Sequence, residues 1–124
     1  MKNIVVAEDD QLIRELITKQ FESMNLLEDY KVFEFDNGKD AFDKIKEIDV
    51  ELLVTDLKMP EMEGNELIGN LVQSGSKMPG NIIVVSGYLP KYHEVNLENV
   101  YFLNKPLSLE EFSEIVLKCL GDNS

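Results

Sequence analysis

Apolar residues fall along this chain in short runs, separated by stretches in which they recur every three or four positions. NIVVA (3–7) is apolar without alternation and partly β-branched, which predicts a strand covered on both faces. Residues 11–24 carry Leu12, Ile13, Leu16, Ile17 and Phe21 at helical spacing, which predicts a helix with those five side chains turned inward. KVFEF (31–35) alternates and predicts a weaker strand. Asn37-Gly38 then breaks the chain and reads as a turn and nothing more, before Ala41, Phe42, Ile45 and Ile48 predict a second helix. ELLVT (51–55) predicts a third strand, Met59-Pro60 and Gly64 a loop, and Leu67, Ile68, Leu71 and Val72 a third helix. NIIVV (81–85), opened by Pro79-Gly80, and VYFL (100–103) predict the last two strands. A final helix is expected to start at Ser108, where Glu111 completes a capping box, with Leu109, Phe112, Val116 and Cys119 or Leu120 inward.

Strands and helices alternating at this spacing predict a doubly wound α/β fold, a parallel sheet with helices on both sides. In such folds ligands sit beyond the C-terminal ends of the strands. That rule selects Glu8, Asp9 and Asp10 after the first strand, Asp56 after the third, Ser86 after the fourth, and Lys105 and Pro106 after the fifth.

Composition narrows the function classes. The chain has 124 residues, enough for one domain that buries a core without staples. A formal net charge of -12 disfavours direct binding to nucleic acid or to anionic membranes. The single cysteine, Cys119, excludes an internal disulfide and is expected to fill space on an apolar helix face. No secretory signal pattern opens the chain and no apolar run approaches a membrane span, so a cytoplasmic location is expected.

Glu8, Asp9 and Asp56, gathered at neighbouring strand ends, would raise one another's pKa and destabilise the fold without a counter-charge. A hard divalent cation resolves the conflict. Mg²⁺ takes oxygen ligands, keeps several waters and needs only one or two carboxylates, whereas the D-x-D-x-D-G pattern of a calcium loop is absent. The lone His93 and lone Cys119 offer no zinc set, and His93 reads as a surface residue. Ser86 and Lys105 add a hydroxyl and an ammonium that suit a phosphoryl group, and Asp56 suits a carboxylate nucleophile. Asp10 is expected to cap the first helix, and Met59 and Met62 to pack within their loop.

With these pieces in order, VVAEDDQLIR, LLVTDLKMPEMEG, IIVVSG and YFLNKP, nearly the whole chain resembles a response-regulator receiver domain, the CheY-like family of two-component signalling. The resemblance implies a single receiver domain over 1–124 with five strands in the flavodoxin-like order 2-1-3-4-5. It makes Asp56 the phosphoacceptor, fed by a histidine kinase or a histidine phosphotransfer protein. Arg14 fixes the register, so the family's acidic pair falls on Glu8 and Asp9. Asp9 would contact Mg²⁺ directly, Glu8 through a metal-bound water, and the Lys58 backbone carbonyl would complete the protein ligands. Ser86 would act as the hydroxyl switch residue and Lys105 would pair with a phosphoryl oxygen. Phe102 matches the switch aromatic, although a fixed core aromatic is the competing reading, and Tyr101 should face the other way. Pro106 would hold the lysine loop, typically after a cis bond, and Gly64 would relieve crowding where the third helix starts.

The segment between Ser86 and Lys105 departs from the pattern. It is shorter than the family's usual one, and Pro90 falls too early for a regular helix, so a short or distorted fourth helix and a private partner surface are expected. No linker or DNA-binding module follows the last helix, so output is expected by protein contact or onward phosphate transfer to a target the sequence does not name. A domain cut from a larger regulator or hybrid kinase would read the same. Two further readings compete: a receiver-like scaffold that works without phosphate, and a Mg²⁺-dependent phosphatase with Asp56 as nucleophile. Against the latter, DLKMP lacks a second aspartate to serve as the acid.

Overall fold

The computed structural model describes residues 1–57, 64–73, 78–87 and 99–121. Five strands, β1 (Lys2–Ala7), β2 (Tyr30–Phe35), β3 (Leu52–Thr55), β4 (Asn81–Ser86) and β5 (Val100–Asn104), form one sheet in the order β2-β1-β3-β4-β5. All four pairings are parallel. Among the described residues the helices are α1 (Gln11–Ser23), α2 (Gly38–Glu47), α3 (Gly64–Gln73) and α4 (Leu109–Leu120), with a 3₁₀ turn at Leu26–Glu28. The segment expected to hold the irregular helix between β4 and β5, with Pro90 and His93, lies outside the described residues, as does the loop with Lys58, Met59 and Met62.

The unbroken apolar runs of the strands follow from burial on both faces. Val5, Ala7, Leu53, Ile82 and Val84 face one core with Ala41 and Ile45 of α2 and Leu67, Ile68 and Leu71 of α3. Their strand neighbours Ile4, Val6, Leu52, Val54, Ile83 and Val85 face the other, with Ile17 and Phe21 of α1 and Phe112 and Val116 of α4. Successive strand residues point to opposite faces, so a strand between two helical layers has no polar side to show. Phe21 and Phe112 meet at 5.6 Å between ring centroids and join α1 to α4.

Two local readings are corrected by the structure. Leu12 and Leu16 do not belong to the inward face of α1: they are 72% and 45% exposed. Successive helical residues turn by about 100°, so a face centred on Ile13, Ile17 and Phe21 leaves Leu12 and Leu16 on its flank. Asn37 is more than a turn residue. It is the N-cap of α2, it is buried, and its side-chain oxygen accepts from the Asp40 N–H at 2.8 Å while its amide donates to Asp36 and Asp40. The caps expected at Asp10 and Ser108 are both present. Asp10 accepts from the N–H groups of Leu12 and Ile13, and the Ser108 hydroxyl from that of Glu111.

Cys119 packs against the α1–α4 core, and burial pushes its thiol up to about 11. Loss of the N-cap should be visible in stability: Asn37→Ala is expected to lower the unfolding free energy in urea by about 1 to 2 kcal/mol. Cys119 stays protonated through neutral pH, and the thiolate is the species that alkylates. Iodoacetamide should therefore modify it at least roughly tenfold more slowly at pH 8 than it modifies an unperturbed thiol, accelerating as the pH rises toward 11.

Candidate functional site

Glu8, Asp56 and Lys105 each follow directly on a strand, and the ladder continues into them. The Glu8 N–H donates to the Phe35 carbonyl at 3.0 Å, the Asp56 N–H to the Ala7 carbonyl at 3.1 Å and the Lys105 N–H to the Ser86 carbonyl at 2.9 Å. The backbone beneath the site is therefore as fixed as the sheet itself. Glu8 and Asp56 are 2% and 6% exposed, Ser86 is buried at the end of β4, and Asp9 is exposed. One carboxylate oxygen from each of Glu8, Asp9 and Asp56 can be chosen so that all lie within 4.8 Å of one another.

The Lys105 ammonium sits between the two buried acids, 2.6 Å from Asp56 Oδ2 and 3.0 Å from Glu8 Oε1. The second Glu8 oxygen accepts from the Asp10 N–H at 3.0 Å. Burial pushes the Glu8 carboxyl above its usual range, and the Asp10 N–H and Lys105 recover only part of that shift. At Lys105 the balance goes the other way. Burial alone would lower the ammonium, but hydrogen bonds to Asp56 and then Glu8, with their charges, carry it above its ordinary value. The difference follows from position, since Glu8 lies under the sheet end while the lysine keeps partial contact with solvent.

Other contacts set the frame. Thr55, buried beside Asp56, donates its hydroxyl to the Asp56 carbonyl at 2.9 Å. The Lys105–Pro106 peptide is cis. Phe102 packs against the core that holds Ala7, Leu53 and Val84, and Tyr101 against the opposite one, as their alternation on β5 requires. Gly64 opens α3, and the Lys58 carbonyl lies outside the described residues. In the sequence, Arg14 marks only the register of the acidic pair. Its guanidinium in fact donates to the Glu8 carbonyl at 2.7 Å. The available signal was a cation near the N-terminal end of a helix, where the helix dipole does not favour one.

The donor set fits a small hard cation. It offers only carboxylate oxygens, two buried and one open to solvent, which suits an ion that keeps part of its water shell. Without such an ion, Lys105 is the one ammonium recorded against both buried acids among the described residues. Lys105→Ala should cost the metal-free protein about 3 kcal/mol at neutral pH by leaving buried charge uncompensated. The deficit should narrow on acidification, because Glu8 is already held high and takes a proton readily. Asp9→Asn should instead raise metal-free stability by removing one of the three like charges. Urea titrations at pH 5 and 7.5 with chelator present check both.

The model of the family described as response regulator receiver domain matches residues 4–117. Over 67 residues the chain is 43% identical to the response regulator receiver protein CpdR of Brucella abortus (strain 2308), a match spanning 54% of this chain and 52%, about half, of that relative. It is 25% identical to the polar-differentiation response regulator DivK of Brucella anthropi, over 98% of both chains. Among solved structures, the receiver domain of a sensor histidine kinase from Pseudomonas aeruginosa PAO1, with a magnesium ion coordinated in its active site cleft, superposes with a TM-score of 0.79 at 18% identity, covering 98% of each chain. This likeness shows the shared fold. With the strand order, the acidic cluster and a family match over most of its length in agreement, the chain belongs to the response regulator receiver domain family, whose members are signalling domains of two-component systems.

Proposed function

We propose that this chain, as a single receiver domain over residues 1–124, takes a phosphoryl group onto Asp56 from a phosphohistidine and thereby changes its protein contacts. The observation that carries this reading is the convergence of Glu8, Asp9 and Asp56 within 4.8 Å, with one lysine shared by the two buried acids. An Asp56 carboxylate oxygen forms the new bond to phosphorus as the bond to the donor's imidazole nitrogen breaks, and the imidazole leaves with the electron pair. Asp9, Asp56 and Glu8 would hold Mg²⁺, which when bound would supply charge neutralisation for the phosphoryl oxygens. The Lys58 carbonyl is its expected further ligand.

The chain's own groups do the rest. Lys105, already 2.6 Å from Asp56, moves onto a phosphoryl oxygen, since the acceptor loses its charge to the new bond. The Ser86 hydroxyl, at the adjoining strand end, is the second donor for that group. Its movement opens space on the side of the sheet where Phe102 packs over Val84, which couples the site to β5. The family assignment favours transfer from a histidine kinase or phosphotransfer protein in the cytoplasm. Exposed Leu12 and Leu16 on α1, close behind Asp9, offer apolar area on which such a partner can rest. Among the described residues no helix is long and apolar enough to cross a membrane.

Incubation with a phosphorylated histidine kinase and Mg²⁺ should label the wild type, with Asp56→Asn unlabelled, and a beryllofluoride salt should perturb the wild-type spectrum alone. Absence of labelling from the cognate kinase would sink the phosphoacceptor reading and leave a phosphate-independent scaffold. Sustained phosphate release from a phosphorylated metabolite would favour a phosphatase. Mg²⁺ at ten times its Kd should also stabilise the fold by about 1.4 kcal/mol. A melting temperature unchanged between chelator and millimolar Mg²⁺ would count against the metal site.

A further inference from the structure

Asp9 is the least restrained of the three acids. It is exposed, and no hydrogen bond or ion pair among the described residues holds its carboxylate. Its placement therefore depends on the main chain that carries it, and that main chain is pinned. The Glu8 N–H is held by the Phe35 carbonyl of β2. The Glu8 carbonyl, which belongs to the peptide plane shared with Asp9, accepts from Arg14 Nη1 at 2.7 Å. Arg14 Nε lies 3.9 Å from Glu34 Oε1 on β2, a charge contact beyond hydrogen-bond length that sets an opposite charge beside the guanidinium's other edge. A planar fork can serve a carbonyl and a carboxylate at once, which a lysine ammonium on a flexible stem does poorly.

We propose that Arg14 is a positioning residue for the acidic pair. By fixing the Glu8–Asp9 peptide plane from α1 and β2 together, it presents Asp9 to the cation in a preset geometry. The inference rests on the Mg²⁺ reading of the preceding section. Its energetic signature has an unusual sign. Removing a positive charge near a cation site should, by electrostatics alone, tighten Mg²⁺ binding. Removing a positioning residue should weaken it, because the carboxylates must then be ordered at the moment of binding.

Calorimetric titration of the full chain with MgCl₂ decides between these signs. Arg14→Ala is expected to weaken Mg²⁺ affinity roughly tenfold, in the range found when outer partners of metal ligands are lost. Arg14→Lys keeps the charge but not the fork, and should weaken it roughly threefold. Leu117→Ala, at an exposed position of α4, should leave the affinity unchanged. In metal-free protein, amide exchange at Glu8 and Asp10 should accelerate in Arg14→Ala while that at Val5 does not. Wild type that binds while Arg14→Ala binds equally or more tightly overturns this proposal alone. Wild type that binds no Mg²⁺ overturns the metal reading and this proposal with it. If Arg14→Ala does not fold, Arg14→Lys decides, since affinity equal to wild type in that variant also overturns the role.

Discussion

The structure around the site depends on one ammonium placed between two buried carboxylates. Glu8 and Asp56 follow neighbouring strands, β1 and β3, and Lys105 follows β5 on the far side of β4. Strands in a sheet are about 4.8 Å apart, so β3 and β5 are separated by roughly 10 Å. A lysine stem is long enough to bring its charge over the end of the intervening strand. A shorter side chain would leave the two acids uncompensated, and a guanidinium would bring a bulkier planar group to the rim. The same span carries the ammonium past Ser86, the residue that ends β4.

This arrangement places cost and stability in different parts of the molecule. The helical layers bury apolar strand residues on both faces and supply the favourable free energy. The C-terminal edge holds charge that burial penalises, and Glu8 registers that penalty in a carboxyl held above its usual range. Main-chain hydrogen bonds that extend the ladder past the strand ends keep the acids from moving apart. Repulsion among them therefore remains in the folded state, available to any ligand that relieves it. Strain held at the edge of an otherwise well-packed sheet is a common relation between stability and function.

Helix ends carry the second constraint. Asp10 accepts from two N–H groups of α1 and sends its own N–H to Glu8, so one residue ends the acidic loop and starts the helix. Arg14 returns from that helix to the Glu8 carbonyl. The loop is thus closed from both sides, which gives three adjacent acids three different surroundings: Glu8 buried and paired, Asp9 open, Asp10 capping.

Much of this was legible in the sequence. Strands buried on both faces must be apolar throughout, so their positions and the residues that follow them could be read directly, and those after β1, β3 and β5 converge at the C-terminal edge of the sheet. Helical spacing gives a stripe without its width, so it assigns Leu12 and Leu16 to the inward face of α1 although the sheet covers only part of that stripe. Asn37 looked like any turn residue, because an N-cap differs from a turn only in where the next three residues go. Arg14 carried only the weak signal of a cation near a helix N-terminus, since its contacts are the Glu8 carbonyl after β1 and a carboxylate on β2. By itself, then, the sequence determined the kinds of groups at each strand end and the family to which they point. Only the tertiary structure decided how they share one another. Lys105 and Asp56 are 49 positions apart, and strand order alone brings them into contact.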